Sequence, residues 1–427
     1  RAMHDTTTPP NELREQSAQR RAAEKPVYVH AATLSCVLGR DGAAVMKALS
    51  EGFSLVDNGA KRTTPAHEGA ALVEAAFQGG KIAPADRTAG LAELVELAAP
   101  HAHRALAAGI KPEDIALVAG TTTAGLAETI SQAAAAPDHA PHPQAWLPMS
   151  RGRSAGAAAA VLGLTGPAYV LSTACTAGAK AVAEGARLLR SERVRAAIAG
   201  GFDLVNPLTD EGFLALGART PKGSLPFCTA REGLALGPGG ALLLLSTEPV
   251  LGESVARLKL VGWGETSDAH HISAPDPTGA GALLAMRTAL RSADLAPDDI
   301  DFVVLHGTGT DQNDRMEASA VHALFGDKAP AASLKRAVGH QLAGAGAFAG
   351  AVACLLISDT LRTGEATLPL NTPAELPLDL TLAPLALVRS PERRHCRRVL
   401  VNAFAFGGSN ISLVFEAVDD VKEAKHR

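Results

Sequence analysis

The sequence predicts an α/β protein assembled from two similar halves, and three long-range echoes carry that prediction. Pro112-Glu-Asp-Ile-Ala-Leu-Val-Ala-Gly-Thr-Thr-Thr123 is matched by Pro297-Asp-Asp-Ile-Asp-Phe-Val-Val-Leu-His-Gly-Thr308, each reading as an acidic turn, a buried strand and a Gly/Thr loop. Val194–Gly201 is matched by Arg398–Phe404, two apolar strands leading into glycine-containing turns. Cys175 opens a helix in the first half, and His340 opens the Ala/Gly-rich stretch Gln341–Asp359 in the second. The period is too long for a solenoid, so two similar sheets packed together are expected. The halves are placed at 26–250 and 251–417, meeting near Thr247–Val255 after the strand-like Ala241–Ser246.

Composition bounds the rest. A chain of 427 residues, 47% hydrophobic and 20% charged, can bury a large core. Only 4% is aromatic while there are 41 glycines, which suits small-residue helices and close backbone approach. The net charge of −4 argues against general nucleic-acid binding. Five cysteines, Cys36, Cys175, Cys228, Cys354 and Cys396, are odd in number and widely spaced, and no secretory leader is read, so a reducing cytoplasm is the expected setting. The apolar run Ala349–Ile357 is too short for a bilayer, and no membrane association is expected. Residues 1–25 read as a polar extension and 418–427 as a charged tail, both outside the fold.

Local patterns then single out residues able to do chemistry. Ala168–Ser172 reads as a buried strand and Ala177–Arg190 as a helix with a basic last turn, which puts Cys175 over a helix amino terminus. A free thiol has a pKa of about 8.5, and a partly buried helix terminus contributes up to about 2 kcal/mol, or about 1.5 units, toward the thiolate. The alternative is a small buried apolar residue, the commoner fate of a lone cysteine among alanines and glycines. His306 ends the strand Phe302–Leu305, a poor position for mere packing. His340, at a helix start, is expected to be neutral because the positive helix end opposes protonation. Asn402–Asn410, with Gly407 and Gly408, reads either as a glycine turn or as a loop presenting the Phe406 N–H to an oxyanion. His270-His271 and His101-Ala-His103 lack a second ligand pair at metal-binding spacing, so no metal is expected.

Taken together, these elements resemble the elongating β-ketoacyl synthases of the thiolase-fold superfamily. Five motifs occur in that family's order between about Val27 and Glu416: Thr173-Ala-Cys-Thr-Ala-Gly178, Thr266-Ser-Asp-Ala-His-His-Ile-Ser-Ala-Pro275, His306-Gly-Thr-Gly-Thr310, Ser333-Leu-Lys-Arg-Ala-Val-Gly-His340 and Asn402–Asn410. The resemblance implies a five-layered αβαβα sandwich and a catalytic set of Cys175, His306, His340 and Lys335, with Lys335 paired to a supporting Glu317. It further implies Cys175 and Phe406 amides as an oxyanion hole, Phe406 as a gate, Thr308 and Thr310 on a pantetheine arm, and Thr123 on the acyl tunnel. The implied reaction is decarboxylative Claisen condensation of an acyl group held on Cys175 with a malonyl thioester, both delivered on the 4'-phosphopantetheine of an acidic acyl carrier protein. No cofactor bound by the enzyme itself is implied.

A homodimer is implied, or a heterodimer with a homologous chain. A basic docking patch is expected, with Lys61, Arg62, Arg151, Arg153, Arg219 and Lys222 as candidates. The chain departs from the family's pattern at Cys228 and Pro238, where acids are usual, and at Glu232, which predicts altered loop packing. Thr123, where the family usually carries an apolar residue, predicts an unusual tunnel. A specialised polyketide or polyene synthase is the main alternative. A non-catalytic partner subunit would usually lack the nucleophile. A degradative thiolase would need a second cysteine in a glycine motif, which Cys396 does not provide, and an initiating synthase would carry Asn where His340 stands.

Overall fold

The computed structural model describes residues 25–55, 68–123, 125–135, 147–148 and 150–418. The expected extension and tail therefore lie outside the described residues, Lys25 and Val418 excepted. The first half contributes β1 (Val27–Ser35), β2 (Ile115–Gly120), β3 (Ala168–Leu171), β4 (Ala196–Asp203) and β5 (Gly239–Ser246). The second contributes β6 (Leu258–Ser267), β7 (Phe302–Leu305), β8 (Pro330–Ser333), β9 (Arg398–Ala405) and β10 (Ser409–Ala417). Spatial order is β3-β2-β4-β5-β1 in one half and β8-β7-β9-β10-β6 in the other, the same arrangement twice. Directions repeat too. β2 runs parallel to β3 and β4, as β7 does to β8 and β9, and the remaining pairs are antiparallel.

The half-sheets are not separate. Val27–Val29 of β1 pair with Leu258–Leu260 of β6, so hydrogen bonding runs through one 11-stranded sheet that ends at the two-residue strand Ala386–Leu387. Layering follows from side-chain alternation. Phe302 and Val304 of β7, with Val399 and Val401 of β9, enter the same core as Ala116 and Val118 of β2. Their neighbours Val303, Leu305 and Leu400 face a separate outer core, and Ile115 and Leu117 face another. Helices α1 (Ala89–Ala107) and α2 (Arg151–Leu162) cover the outer face of the first half. The second half is covered by α4 (Ala280–Ala293) and α5 (Asp311–Phe325), while α3 (Ala177–Arg190) and α6 (Gly344–Thr363) fill the space between. The result is the αβαβα sandwich.

The central helices explain the composition. A helix enclosed by sheet and helix must be apolar and small-sided on its enclosed faces, because close packing leaves no gap for bulk. A Cβ on Gly185 would lie 2.8 Å from the Ala199 Cβ, and one on Gly346 the same distance from the Ala179 Cβ. With mean hydropathy of 1.6, α6 is long and apolar enough to cross a bilayer, yet it is mostly buried in the central layer. Its start differs from the sequence reading. The chain turns at Leu342, at φ 50°, and α6 begins at Gly344, so His340 stands in the approach to the helix rather than at its first residue.

Candidate active site

Both chemical loops follow equivalent strands. After β3 the chain passes Ala174, a non-glycine residue at φ 51°, into the short turn Ala174–Thr176 and then α3. After β8 it passes through Lys335–Val338, His340 and Leu342 into α6. Left-handed backbone at alanine and leucine carries strain that only a tightly determined surrounding sustains. The duplication thus brings a nucleophile turn and a histidine turn together between the sheets. His340 Nε2 lies 3.0 Å from the Cys175 Sγ. His306, just past the end of β7, presents its ring edge-on to His340 with centroids 5.4 Å apart, and Phe404 packs on its other side at 5.8 Å.

Two ionisable side chains grip the main chain of His306 from either side. Glu317 of α5 accepts the His306 N–H at 2.7 Å and the Gly307 N–H at 2.6 Å. Lys335 donates to the His306 carbonyl, and its Nζ stands 3.4 Å from His306 Nδ1. The expected Lys335–Glu317 contact is therefore replaced by an arrangement in which His306 stands between the two charges, which act on each other through space. An ammonium can only donate, so Nδ1 is an acceptor and Nε2 carries the ring proton of His306.

Burial sets the protonation of the site. Both imidazoles are held well below 6.5 by desolvation and then by the Lys335 charge, so both are neutral. For His340 this is the expected state. Cys175 is a correction: burial pushes the thiol up to about 12, outweighing the Lys335 charge and the small gain expected from the helix terminus. The resting nucleophile is a thiol with a neutral base beside it.

Cys175, His306 and His340 line a cavity of about 490 Å³, together with Thr308, Thr310 and Phe406. The Thr308 and Thr310 hydroxyls are bonded to each other at 2.8 Å. Phe406 is 40% exposed and stacks on Phe213 at 5.7 Å. Phe213 escaped the sequence reading because its helix, Pro207–Ala215, carries no motif and buries none of its residues.

Thr123 is not among the cavity's lining residues; its Oγ1 donates to Asp203 Oδ1 at 2.8 Å. Asp203, at the end of β4, was also missed. The signal was a buried strand ending in an acid opposite three consecutive threonines.

The basic patch takes a different form. Arg153 is paired with Asp86 at 2.9 Å, Arg219 with Asp210 at 2.7 Å and Lys222 with Glu232 at 2.5 Å. Each cation is matched by an acid. Lys61, Arg62 and the Arg151 side chain lie outside what the structure describes. At the departures, Cys228 is fully buried with its Sγ 3.6 Å from Thr372 Oγ1, Glu232 holds Lys222, and Pro238 offers its carbonyl to Gln341 at 3.5 Å. All three are absorbed by local packing.

A buried thiol shares a cavity with two neutral imidazoles on a duplicated αβαβα frame, an arrangement suited to thiol-centred group transfer. Residues 55–249 match the family model "Beta-ketoacyl synthase, N-terminal domain" and residues 258–364 the corresponding C-terminal domain. The chain is 33% identical to 3-oxoacyl-[acyl-carrier-protein] synthase 2 of Coxiella burnetii, over 60% of this chain and 63% of that one. It is 34% identical to Nodulation protein E of Rhizobium leguminosarum bv. trifolii, over 62% and 65%. These matches span less than two thirds of those relatives' length. Among solved structures, it is similar to a chain of the ketosynthase–chain length factor complex ApeO–ApeC of Xenorhabdus doucetiae, with a TM-score of 0.76, 30% identity, and coverage of 92% of this chain and 98% of that one. The chain belongs to the β-ketoacyl synthase family.

Proposed function

We propose that this protein is an elongating β-ketoacyl-acyl carrier protein synthase, and the observation that carries the proposal is the 3.0 Å contact between Cys175 Sγ and a neutral His340 beside a neutral His306. In the first stage Cys175 attacks the carbonyl carbon of an acyl thioester. As the new S–C bond forms, the thiol proton moves to the departing pantetheine sulfur while His340 donates its Nε2–H to the Cys175 sulfur. The Cys175 and Phe406 main-chain N–H groups receive the tetrahedral oxyanion.

In the second stage a malonyl thioester occupies the cavity, its arm passing Thr308 and Thr310. The bond to its carboxylate breaks, carbon dioxide leaves, and the electron pair moves onto the thioester oxygen. Nε2–H donors of His306 and His340 stabilise that enolate. Its carbon attacks the acyl-Cys175 carbonyl, the C–S bond breaks, and the thiol recovers a proton from the medium. Atoms and charges balance with thiol and imidazoles alone, so no resident cofactor or metal is assigned.

The carrier is an acyl carrier protein, and the assembly is a dimer with a second copy or a homologous chain. The cytoplasm suits five cysteines that are all free and buried. A specialised polyketide or polyene substrate is the second reading. It is supported by the similarity to a chain of a ketosynthase–chain length factor complex, 30% identical over 92% of this chain. The test is intact mass after incubation with acyl carrier thioesters of varied length and unsaturation. Addition of the acyl mass at Cys175, followed by carbon dioxide release with malonyl carrier, supports the proposal; an unmodified protein across the panel rejects it.

A further inference from the structure

The carboxylate of Asp203 is buried to 1% exposure and accepts six hydrogen bonds. Oδ1 takes the Thr121 hydroxyl at 2.7 Å, the Thr122 and Thr123 N–H groups at 2.8 and 2.9 Å, and the Thr123 hydroxyl at 2.8 Å. Oδ2 takes the Thr122 hydroxyl at 2.5 Å and, from the other half of the molecule, the Ala343 N–H at 2.9 Å. Ala343 lies three residues beyond His340, and its own carbonyl accepts the Gly178 N–H at 3.0 Å, three residues beyond Cys175. One residue is thus held through both its N–H and its C=O, by Asp203 and by the start of the nucleophile's helix.

No side chain separates these segments. A Cβ on Gly178 would lie 2.4 Å from the Ala343 oxygen, and one on Gly201 would lie 2.7 Å from the Gly178 Cα and 2.9 Å from that same oxygen. Four backbone segments, ending β2, opening α3, crossing β4 and approaching α6, meet here at contact distance. A shift of the Ala343 peptide therefore moves the His340 turn relative to the Cys175 turn.

We propose that Asp203, seated in the Thr121-Thr122-Thr123 cradle, is a positioning residue that clamps the two halves so that His340 meets the Cys175 thiol. The clamp rests on the reading of Cys175 and His340 as the reacting pair. It gives Thr123 a role other than tunnel lining. The negative charge of Asp203 also disfavours the thiolate, so the clamp fixes geometry at some cost in thiol acidity.

The test is Asp203→Asn. Whichever way the amide turns, its N–H atoms face donors, and the Ala343 N–H or the threonine cradle loses an acceptor. In the folded variant, judged by its thermal melt, kcat for acyl transfer falls by about tenfold or more at unchanged KM for the acyl thioester. Iodoacetamide alkylation of Cys175 shifts the other way, its rate–pH line moving to lower pH by about one unit. Wild-type kcat together with a wild-type alkylation line overturns the clamp. Should Asp203→Asn fail to fold, Thr123→Val and Thr123→Ser decide. Loss of kcat in the first and recovery in the second support it, whereas equal kcat in both, or a changed chain-length preference at wild-type kcat, overturns it. Alkylation needs no carrier and no acyl substrate, so a wild-type protein that transfers no acyl group sinks the proposed function while this arm still judges the clamp.

Discussion

Lys335 spends its ammonium on the His306 carbonyl and leaves its Nζ 3.4 Å from the same residue's Nδ1, so one lysine fixes both the backbone and the tautomer of the histidine. A neutral imidazole has one proton to offer, and the lysine directs that proton to Nε2. Replacement by methionine keeps much of the stem and removes the donor. Lys335→Met is expected to lower malonyl decarboxylation by about 10²-fold, the scale for losing an oriented oxyanion donor. Acylation of Cys175, read by intact mass, persists because His340 remains in place. Carbon dioxide release at the wild-type rate in a folded variant would show that the tautomer lock is unimportant.

A thiol raised to about 12 by burial is almost wholly protonated at neutral pH. The thiolate fraction then grows about tenfold per pH unit throughout the accessible range. Alkylation of Cys175 by iodoacetamide is expected to accelerate with that slope from pH 7 to 9 and to show no plateau. Lys335→Met raises the thiol further, because the lysine charge favours the thiolate, and slows alkylation below about pH 8, where Lys335 carries that charge. A plateau near pH 8 in the wild-type protein would mean that the helix terminus, not burial, governs this thiol.

The halves of the molecule were legible because duplication leaves a signal that needs no alignment. The Pro-acid-acid-Ile turns at Pro112 and Pro297 begin strands that occupy identical places in the two half-sheets. Cys175, His306 and His340 were legible for a related reason, since each closes or follows a strand whose partner in the other half could be named. What depended on side-chain direction was not legible. Sequence adjacency put Thr123 in a loop near the thiol, but nothing in the string of threonines revealed that their hydroxyls turn to Asp203. The Lys335–Glu317 pairing failed similarly, because two opposite charges in one site can each be satisfied by the backbone between them. Arg153, Arg219 and Lys222 looked like a patch only until their acids, distant in sequence for the first, came into place.

Acid sensitivity should arise away from the cavity as well. His101 is buried, its Nε2 lies 3.0 Å from both the Leu242 carbonyl and the Thr33 hydroxyl, and its Nδ1 is buried without a partner. Burial, opposed by the bond to Leu242 and assisted by the Arg104 charge, holds its pKa down at about 4. The unfolded chain takes up a proton on this ring below about 6.5 while the folded chain stays neutral, so its contribution is present above that pH and is lost as pH falls toward the folded value. The loss amounts to about 3 kcal/mol between pH 7 and 4. Urea unfolding of wild type and His101→Gln should show a stability gap that shifts by that amount in favour of the variant on acidification. A gap independent of pH would mean that His101 titrates normally.

Phe213 and Phe406, from opposite halves of the chain, stack on each other and both line the cavity. Their rings stack at 5.7 Å with an interplanar angle of 30°, and Phe406 stands on the turn that carries Gly407 at φ 81° and Gly408 at φ 74°. A ring pair of this kind adds about 0.5–1.5 kcal/mol beyond its buried area, enough to favour the stacked arrangement while leaving it able to separate. Phe213→Ala removes the contact without touching the Phe406 main chain that is assigned to the oxyanion. Alkylation of Cys175 by a bulky maleimide should then rise by about three- to tenfold, the Boltzmann equivalent of that contact, while alkylation by small iodoacetamide changes less. Phe406→Ala should match it for the bulky reagent. Unchanged reactivity toward both reagents in the two variants would show that the stacked rings do not control access to the thiol.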